Sequence, residues 1–333
     1  MREEYRTAQI QLRYPQERER LIRFLEENQL TYETDIQTAF GIFDENDALL
    51  ACGCAAGPLL KCFAVMPELR GQNALGPLVS ALVQDRFAAG IYDLSIITRR
   101  KNEEMFTHCG FFPVVRTREL ILLENRPNGP AAFTSPMSRP GDEAETVGAV
   151  VMNCNPFTLG HQALVEYAAQ RCGILHIFVV EEDRSVFPTD VRLRLVREGT
   201  AHLPNVRVHL SGRYIISEAT FPTYFLKAGE DAAALQSELD ITLFAQCIAP
   251  ELHITKRFAG QEPQDATTAR YNKAMREILP RHGIEFCEIP RVNEGGQAIS
   301  ASWVRRLLRE RGLCGEVLGL VPKCTWDYLN TKY

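Results

Sequence analysis

The sequence predicts an α/β protein in two parts, a mixed α+β half followed by a parallel α/β sheet, and three observations predict it. Residues 38–66 alternate apolar runs with turn residues, as the strands of an antiparallel meander do. Residues 125–145, NRPNGPAAFTSPMSRPGDEAE, hold four prolines and two glycines among few large apolar side chains, the composition of a linker. Residues 147–180 then read strand, helix, strand with short joints, the unit of a parallel sheet. At roughly 150 residues per domain, a chain of 333 residues suits two domains. The expected division is 1–124, a linker over 125–145, and 146–333.

Composition narrows the function. Lys plus Arg number 37 against 42 Asp plus Glu, a net charge of −5 that gives no global attraction to nucleic acid or anionic lipid, so neither partner is expected. The N-terminal residues MREEYRTAQIQLRYPQERER are charged throughout and carry no apolar leader. The longest apolar run, 174–180, falls far short of a membrane helix. A reducing cytoplasmic setting is expected, in which the ten cysteines are small buried hydrophobes. Cys52 and Cys54 stand close, with no second pair or His nearby to complete a zinc site.

In the first half, a turn at Asp44–Asp47 separates two strands and a Gly-Pro break precedes a third that ends near Val65. From Pro67 the spacing turns helical, with Leu75, Leu78, Val79 and Leu82 on one stripe and Gly90 placed to stop it. A strand over 91–97, a short helix and Cys109-Gly110-Phe111-Phe112 follow. The run Phe63–Gln72 with its helix, and Asn102…Met105-Phe106…Cys109-Gly110-Phe111 downstream, resemble the acyl-CoA-binding core of the GNAT acetyltransferase family. That family holds the CoA pyrophosphate on backbone N–H groups at a helix start. Where it has small residues, this chain has Asn73 and Leu75, which would crowd the phosphates. The resemblance implies the fold, with CoA binding weakened or lost and a scaffold or docking role ahead of acetyl transfer.

The second half opens with a strand over 147–152, the loop Asn153-Cys154-Asn155-Pro156-Phe157-Thr158-Leu159-Gly160, and a helix from His161 to about Arg171. Ligands of parallel sheets sit beyond the carboxyl ends of the strands, where this loop lies. Thr158-Leu159-Gly160-His161 resembles the T/H-x-G-H signature of the nucleotidylyltransferases. Gly160 permits close approach, while His161 and the helix start offer N–H donors to a phosphate. Taken alone, a capping Thr158 and an exposed His161 would explain these residues. Near the C-terminus, Ile299-Ser300-Ala301-Ser302-Trp303-Val304-Arg305 resembles the I-S-x-S-x-V-R motif of the same superfamily. Ser300 or Ser302 can cap a helix with the stripe Val304, Leu307, Leu308 and with Gly312 at its end, and Arg305 can add a charge-assisted bond to pyrophosphate. Two anion-aiming helix starts on a strand-helix-strand scaffold imply a Rossmann-like nucleotidylyltransferase (HIGH superfamily) domain.

Between the motifs lie Val180–Pro188, Tyr214–Phe225 and Arg257-Phe258-Ala259-Gly260-Gln261-Glu262-Pro263. With Met152–His161 they resemble the citrate lyase ligase family over nearly the whole chain. The resemblance implies that acetate attacks ATP, that acetyl-adenylate forms with release of pyrophosphate, and that the acetyl group passes to the thiol of a phosphoribosyl-dephospho-CoA group on the acyl-carrier subunit of citrate lyase. Mg²⁺ would accompany the triphosphate. His161, Thr158, Ser300 and Arg305 are then the expected catalytic set, and Asn153, Asn155, Pro156, Phe157, Gly160, Gly260, Glu262 and Ser302 the ATP contacts. Asp183, Ser185 and Arg213 are expected near acetate or Mg²⁺, with Arg213 and Tyr214 ahead of a strand end at 215–217. For Asp183 and Ser185 a solvated turn explains them equally well, and the Gly260–Pro263 turn needs no ligand. Cys154 is read as packing, since nothing basic beside it in sequence would lower its pKa. The rival readings are a transferase that builds a dinucleotide cofactor and a non-catalytic ATP-sensing regulator.

Overall fold

Apolar residues at strand spacing and at helical spacing alternate along the chain, and most elements of the computed structural model bury the face those residues mark. The structure describes residues 5–69, 74–138, 144–181, 185–217, 220–261, 266–291, 293–294 and 297–332. The chain forms two compact units, one of residues 1–129 with 220–239 and the other of residues 130–219 with 240–333.

In the first unit the order is β1 (Arg6–Ile10), α1 (Pro15–Glu27), β2 (Thr38–Phe43), β3 (Leu49–Ala56), β4 (Leu59–Val65), α2 (Leu75–Ala88), β5 (Ser95–Arg99), α3 (Glu103–Thr107), β6 (Phe112–Arg116) and β7 (Leu120–Glu124). They build one seven-stranded sheet in the order β1-β2-β3-β4-β5-β7-β6. The meander is β2-β3-β4, antiparallel throughout, and β4 meets β5 in parallel. Leu75, Val79 and Leu82 of α2 pack on Leu60, Ile96, Ile121 and Leu123 of the sheet. Two expected bounds move. A 3-10 turn occupies Pro67–Leu69 and α2 starts at Leu75, while the strand expected over 91–97 is β5 at Ser95–Arg99. Gly90, at φ 79, turns the chain, Ile91 N–H bonds back to Arg86, and the Leu94 N–H goes to the Asn125 side chain, so 91–94 joins no ladder. Of the residues carrying the first resemblance, Arg70, Gly71, Gln72 and Asn73 lie outside the described residues.

The second unit holds α4 (Gly129–Thr134), β8 (Val147–Met152), α5 (Leu159–Ala169), β9 (Ile174–Val179), α6 (Thr189–Gly199), β10 (Val206–Leu210), the end of α7 (Ala232–Leu243), β11 (Lys256–Gly260), α8 (Ala266–Ile278), β12 (Glu285–Ile289), α9 (Ala301–Arg311), α10 (Gly315–Leu318) and α11 (Lys323–Lys332). Its five-stranded sheet runs β10-β9-β8-β11-β12 with every pair parallel. Strand order reverses at β8, so the crevice beyond β8 and β11 is where such a sheet binds ligands. Val150, Val165, Ala168, Leu175, Ile177 and Leu195 fill the core beneath it. The order and direction of these strands make the unit Rossmann-like. At the strand end expected over 215–217 the structure has a 3-10 turn, Gly212–Tyr214, after which the Ile216 N–H bonds the Asp240 carboxylate.

Candidate functional site

The first functional segment is built by its own capping chemistry. Thr158 is the N-cap of α5, extended at φ −121 and ψ 167, and its hydroxyl accepts from the His161 N–H at 3.3 Å. In return the His161 ring nitrogen Nδ1 accepts from the Thr158 N–H at 3.1 Å and lies 3.0 Å from the Thr158 hydroxyl. A nitrogen that accepts a backbone N–H carries no proton, so the imidazole's proton sits on Nε2, and His161 is a donor at that atom. Burial, reinforced by the nearby Arg291 and Arg305, pushes the His161 pKa down to about 4, so the ring is neutral near pH 7. The Leu159 N–H goes to the Leu320 carbonyl. The amides of 158, 159 and 161 are thus bonded within the protein, and the donor that α5 presents is the imidazole more than the bare helix end.

The second segment converges on the first. Ser300 caps α9, its hydroxyl accepting from the Trp303 N–H at 3.1 Å, and Gly312 ends the helix at φ 67. Val304, Leu307 and Leu308 turn inward with Ile299 and Phe187, and Leu159 packs on the same cluster. Fully burying such side chains stabilises by roughly 1.5–3 kcal/mol each, and that cluster is what pulls the start of α9 against the start of α5. Two contacts lock the approach. Arg305 Nη1 donates to the Asn155 carbonyl while its Nη2 donates to the Ser302 hydroxyl at 3.0 Å. A Cβ on Gly160 would stand 2.8 Å from the Ile299 carbonyl oxygen, so the close approach that requires glycine there is to the chain's own backbone.

The loop between β8 and α5 is packed from below. The Phe157 side chain, expected at the nucleotide, is fully buried against Gly199, and Pro156 is buried too, so both shape the loop and neither lines an open surface. Cys154 is likewise buried, and burial raises its thiol pKa far from the reactive range, as expected of a packing residue. The Asn155 side-chain oxygen accepts from the Phe187 N–H at 3.0 Å, and Ser185 Oγ donates to the Asn153 side-chain oxygen at 3.2 Å. Ser185 is thereby brought to the loop. Arg213 follows β10, its guanidinium 5.3 Å from the centre of the Tyr214 ring and its Nη2 donating to the Tyr214 hydroxyl at 3.2 Å. Gly260 ends β11, its carbonyl accepting from Asn272 Nδ2 at 3.0 Å. Asp183 and Glu262 lie outside the described residues.

Two arginines that sequence reasoning missed organise the site. Arg192 on α6 is fully buried and donates to the carbonyls of Asn153 at 2.7 Å, Val180 at 2.6 Å and Phe187 at 3.0 Å, and to the Asn153 side chain at 2.9 Å. It ties the carboxyl ends of β8 and β9 together. Its signal was an arginine on the apolar stripe of a helix beside Leu195 and Val196. Arg291 donates from Nε to the Gln261 carbonyl at 2.7 Å and from Nη1 to the Ile299 carbonyl at 3.4 Å, joining the end of β11 to the entrance of α9. Its signal was a cation just past the end of β12. The assembled set is one neutral N–H donor with two guanidinium groups near it, a donor set suited to a polyphosphate.

A family model described as the citrate lyase ligase C-terminal domain matches residues 147–329. The chain is 37% identical over 317 residues to the [citrate [pro-3S]-lyase] ligase of Klebsiella pneumoniae, covering 94% of this chain and 92% of that protein. It is 36% identical over 316 residues to the protein of the same name from Escherichia coli, covering 93% and 89%. Among solved structures, Thermotoga maritima TmcAL bound with alpha-thio ATP is similar at TM-score 0.35 and 17% identity over 56% of each chain. A GNAT-family acetyltransferase from Staphylococcus aureus is similar at TM-score 0.32 and 10% identity, covering 37% of this chain and 100% of that one. Those scores are low, and the two folds stand on their own strand order.

Proposed function

The chain belongs to the citrate lyase ligase family, and from that premise we propose that it is an ATP-dependent ligase that activates citrate lyase by acetylating its acyl-carrier subunit. A carboxylate oxygen of acetate attacks the α-phosphorus of ATP, the bond from that phosphorus to the bridging oxygen breaks, and pyrophosphate leaves with the electron pair. The thiol of the carrier's phosphoribosyl-dephospho-CoA group then attacks the acetyl carbonyl, AMP leaves, and the thiol proton passes to solvent. Acetate is already ionised at pH 7, so the first step asks the protein for position and charge stabilisation and not for a base.

The residues fit that demand. His161, neutral and protonated at Nε2, donates to a phosphoryl oxygen as charge builds there, and Thr158 fixes its tautomer. Arg305, held by Asn155 and Ser302, takes the leaving pyrophosphate, and Arg291 adds a second positive charge near the imidazole. Ser300 sets the direction of α9, and Asn153, Gly160 and Gly260 shape the floor. Mg²⁺ carried by ATP supplies the remaining charge neutralisation. The reading places the protein in the cytoplasm.

The observation that carries it is the meeting of the Thr158–His161 and Ser300–Arg305 segments across the Gly160–Ile299 and Asn155–Arg305 contacts. The test is to mix the protein with ATP, Mg²⁺, acetate and deacetylated citrate lyase. Acetyl thioester on the carrier, with AMP and pyrophosphate in equal amounts, is expected. Pyrophosphate release that depends on a phosphorylated cofactor precursor and ignores acetate would sink the reading.

A further inference from the structure

In the first unit, β4 and β5 run parallel and are paired at a single position, Leu59 with Ser95, where the Ser95 N–H also bonds the Pro58 carbonyl. Beyond that pair the two strands form no further rung among the described residues, which leaves a fork lined by backbone N–H and C=O groups. Such a fork is a natural receptor for an extended, amide-bearing chain, which can bond to both edges as an added strand would. The resemblance of this unit to acyl-CoA-binding folds makes the amide-bearing arm of acyl-CoA the ligand to test at the fork.

The fork holds Tyr224. Its side chain is 3% exposed, and its hydroxyl donates to the Ile97 carbonyl of β5 at 3.3 Å. Cys62 of β4 and Thr98 of β5 lie near enough to the phenol to act on its charge. The phenol thus stands between the parted strands and is bonded to β5. Its own backbone is fastened as well, since the Thr31 N–H bonds the Tyr224 carbonyl at 2.9 Å. On the β4 side, Glu33 Oε1 accepts from the Thr223 N–H at 2.7 Å and from its hydroxyl at 2.8 Å, while Glu33 Oε2 pairs with the buried Lys61 at 2.7 Å. On the β5 side, Arg99 lies over the Phe225 ring and pairs with Glu230. The segment is clamped at both edges.

We propose that the fork between β4 and β5 is a ligand slot filled by the chain's own Tyr224, and that the first unit therefore takes no acyl-CoA thioester there. The slot has become an anchor for residues 220–230. This inference stands apart from the ATP site, because every group it uses belongs to the first unit.

Amide hydrogen exchange on the full chain tests it, with millimolar acetyl-CoA as the probe. Exchange in 59–65 and 95–99 is expected to be unchanged by acetyl-CoA, and protection in those two strands would overturn the proposal even if the probe also bound elsewhere. Tyr224→Ala empties the space between the strands and removes the bond to Ile97. In that variant the amides of 59–65 and 95–99 are expected to exchange about tenfold faster. Unchanged exchange in both strands would show that the phenol closes nothing.

Discussion

The Gly160 Cα faces the Ile299 carbonyl so closely that an added methyl carbon would stand 2.8 Å from the oxygen. Both partners are backbone, so neither can swing aside. Gly160→Ala sets a gain of about 0.5–1 kcal/mol in helix propensity against an overpacking cost of about 1–3 kcal/mol, and the second wins because the methyl has nowhere to go. The variant is expected to melt lower than the parent and to lose most acetate-dependent AMP formation, since the entrance of α9 carries Arg305 away from Asn155. Equal activity and an unchanged melting temperature would mean that the contact is soft.

His161 is expected to titrate far below an ordinary histidine. Its folded pKa is lowered from 6.5 to about 4. The unfolded chain therefore binds a proton between those values that the native chain refuses, so stability is full above pH 6.5 and falls as pH drops toward 4. Nitrogen NMR of the labelled ring should report the proton on Nε2 and no titration between pH 5 and 8. If the ring donates to developing charge as proposed, His161→Ala should cost about 10²–10³ in kcat while leaving the sheet intact. A ring found charged at pH 7 would contradict the hydrogen bond from Thr158.

What could be read from the chain is what short local patterns encode. The Thr158 and Ser300 caps, the α9 stripe and the strand at Val147–Met152 each depend on residues within a few positions of one another, and each stands where its pattern put it. The role of Gly160 was half legible: the need for glycine shows in the sequence, but the neighbour that imposes it is far along the chain at Ile299. Arg192 and Arg291 escaped because their partners are backbone carbonyls, which every residue owns and no sequence marks. The return of Tyr224 to the first unit escaped for the same reason, since it is fixed by the Thr31 amide and the Ile97 carbonyl.

Arg192 should prove structural in the strict sense of holding the site's shape. Its guanidinium satisfies three main-chain carbonyls, and truncation would leave those acceptors without a donor in a dry interior. Each buried unsatisfied group costs about 1–3 kcal/mol, so Arg192→Met is expected to lose more than about 3 kcal/mol in urea unfolding. Arg192→Lys keeps the charge but reaches fewer of the carbonyls, and should fall between. A loss under about 1 kcal/mol for Arg192→Met would show that water replaces the side chain.

Arg305 should separate binding from folding. It is half-buried, and its two bonds lead to the Asn155 carbonyl and the Ser302 hydroxyl, so truncation leaves no deep cavity. Arg305→Ala is therefore expected to lower the melting temperature only slightly. Loss of a charge-assisted contact to the pyrophosphate should cost about 1.5–3 kcal/mol, or roughly 10- to 150-fold in kcat/KM for ATP. Arg305→Lys retains a point charge but cannot grip Asn155 and Ser302 while facing the phosphates, so it should recover only part of that loss. Removing Arg305 also removes one of the cations that depress His161, so the ring's pKa should rise in Arg305→Ala, toward 6.5. Measuring both effects in one variant decides the geometry: a fall in kcat/KM with no movement of the His161 titration would place the guanidinium away from the imidazole and out of the shared site.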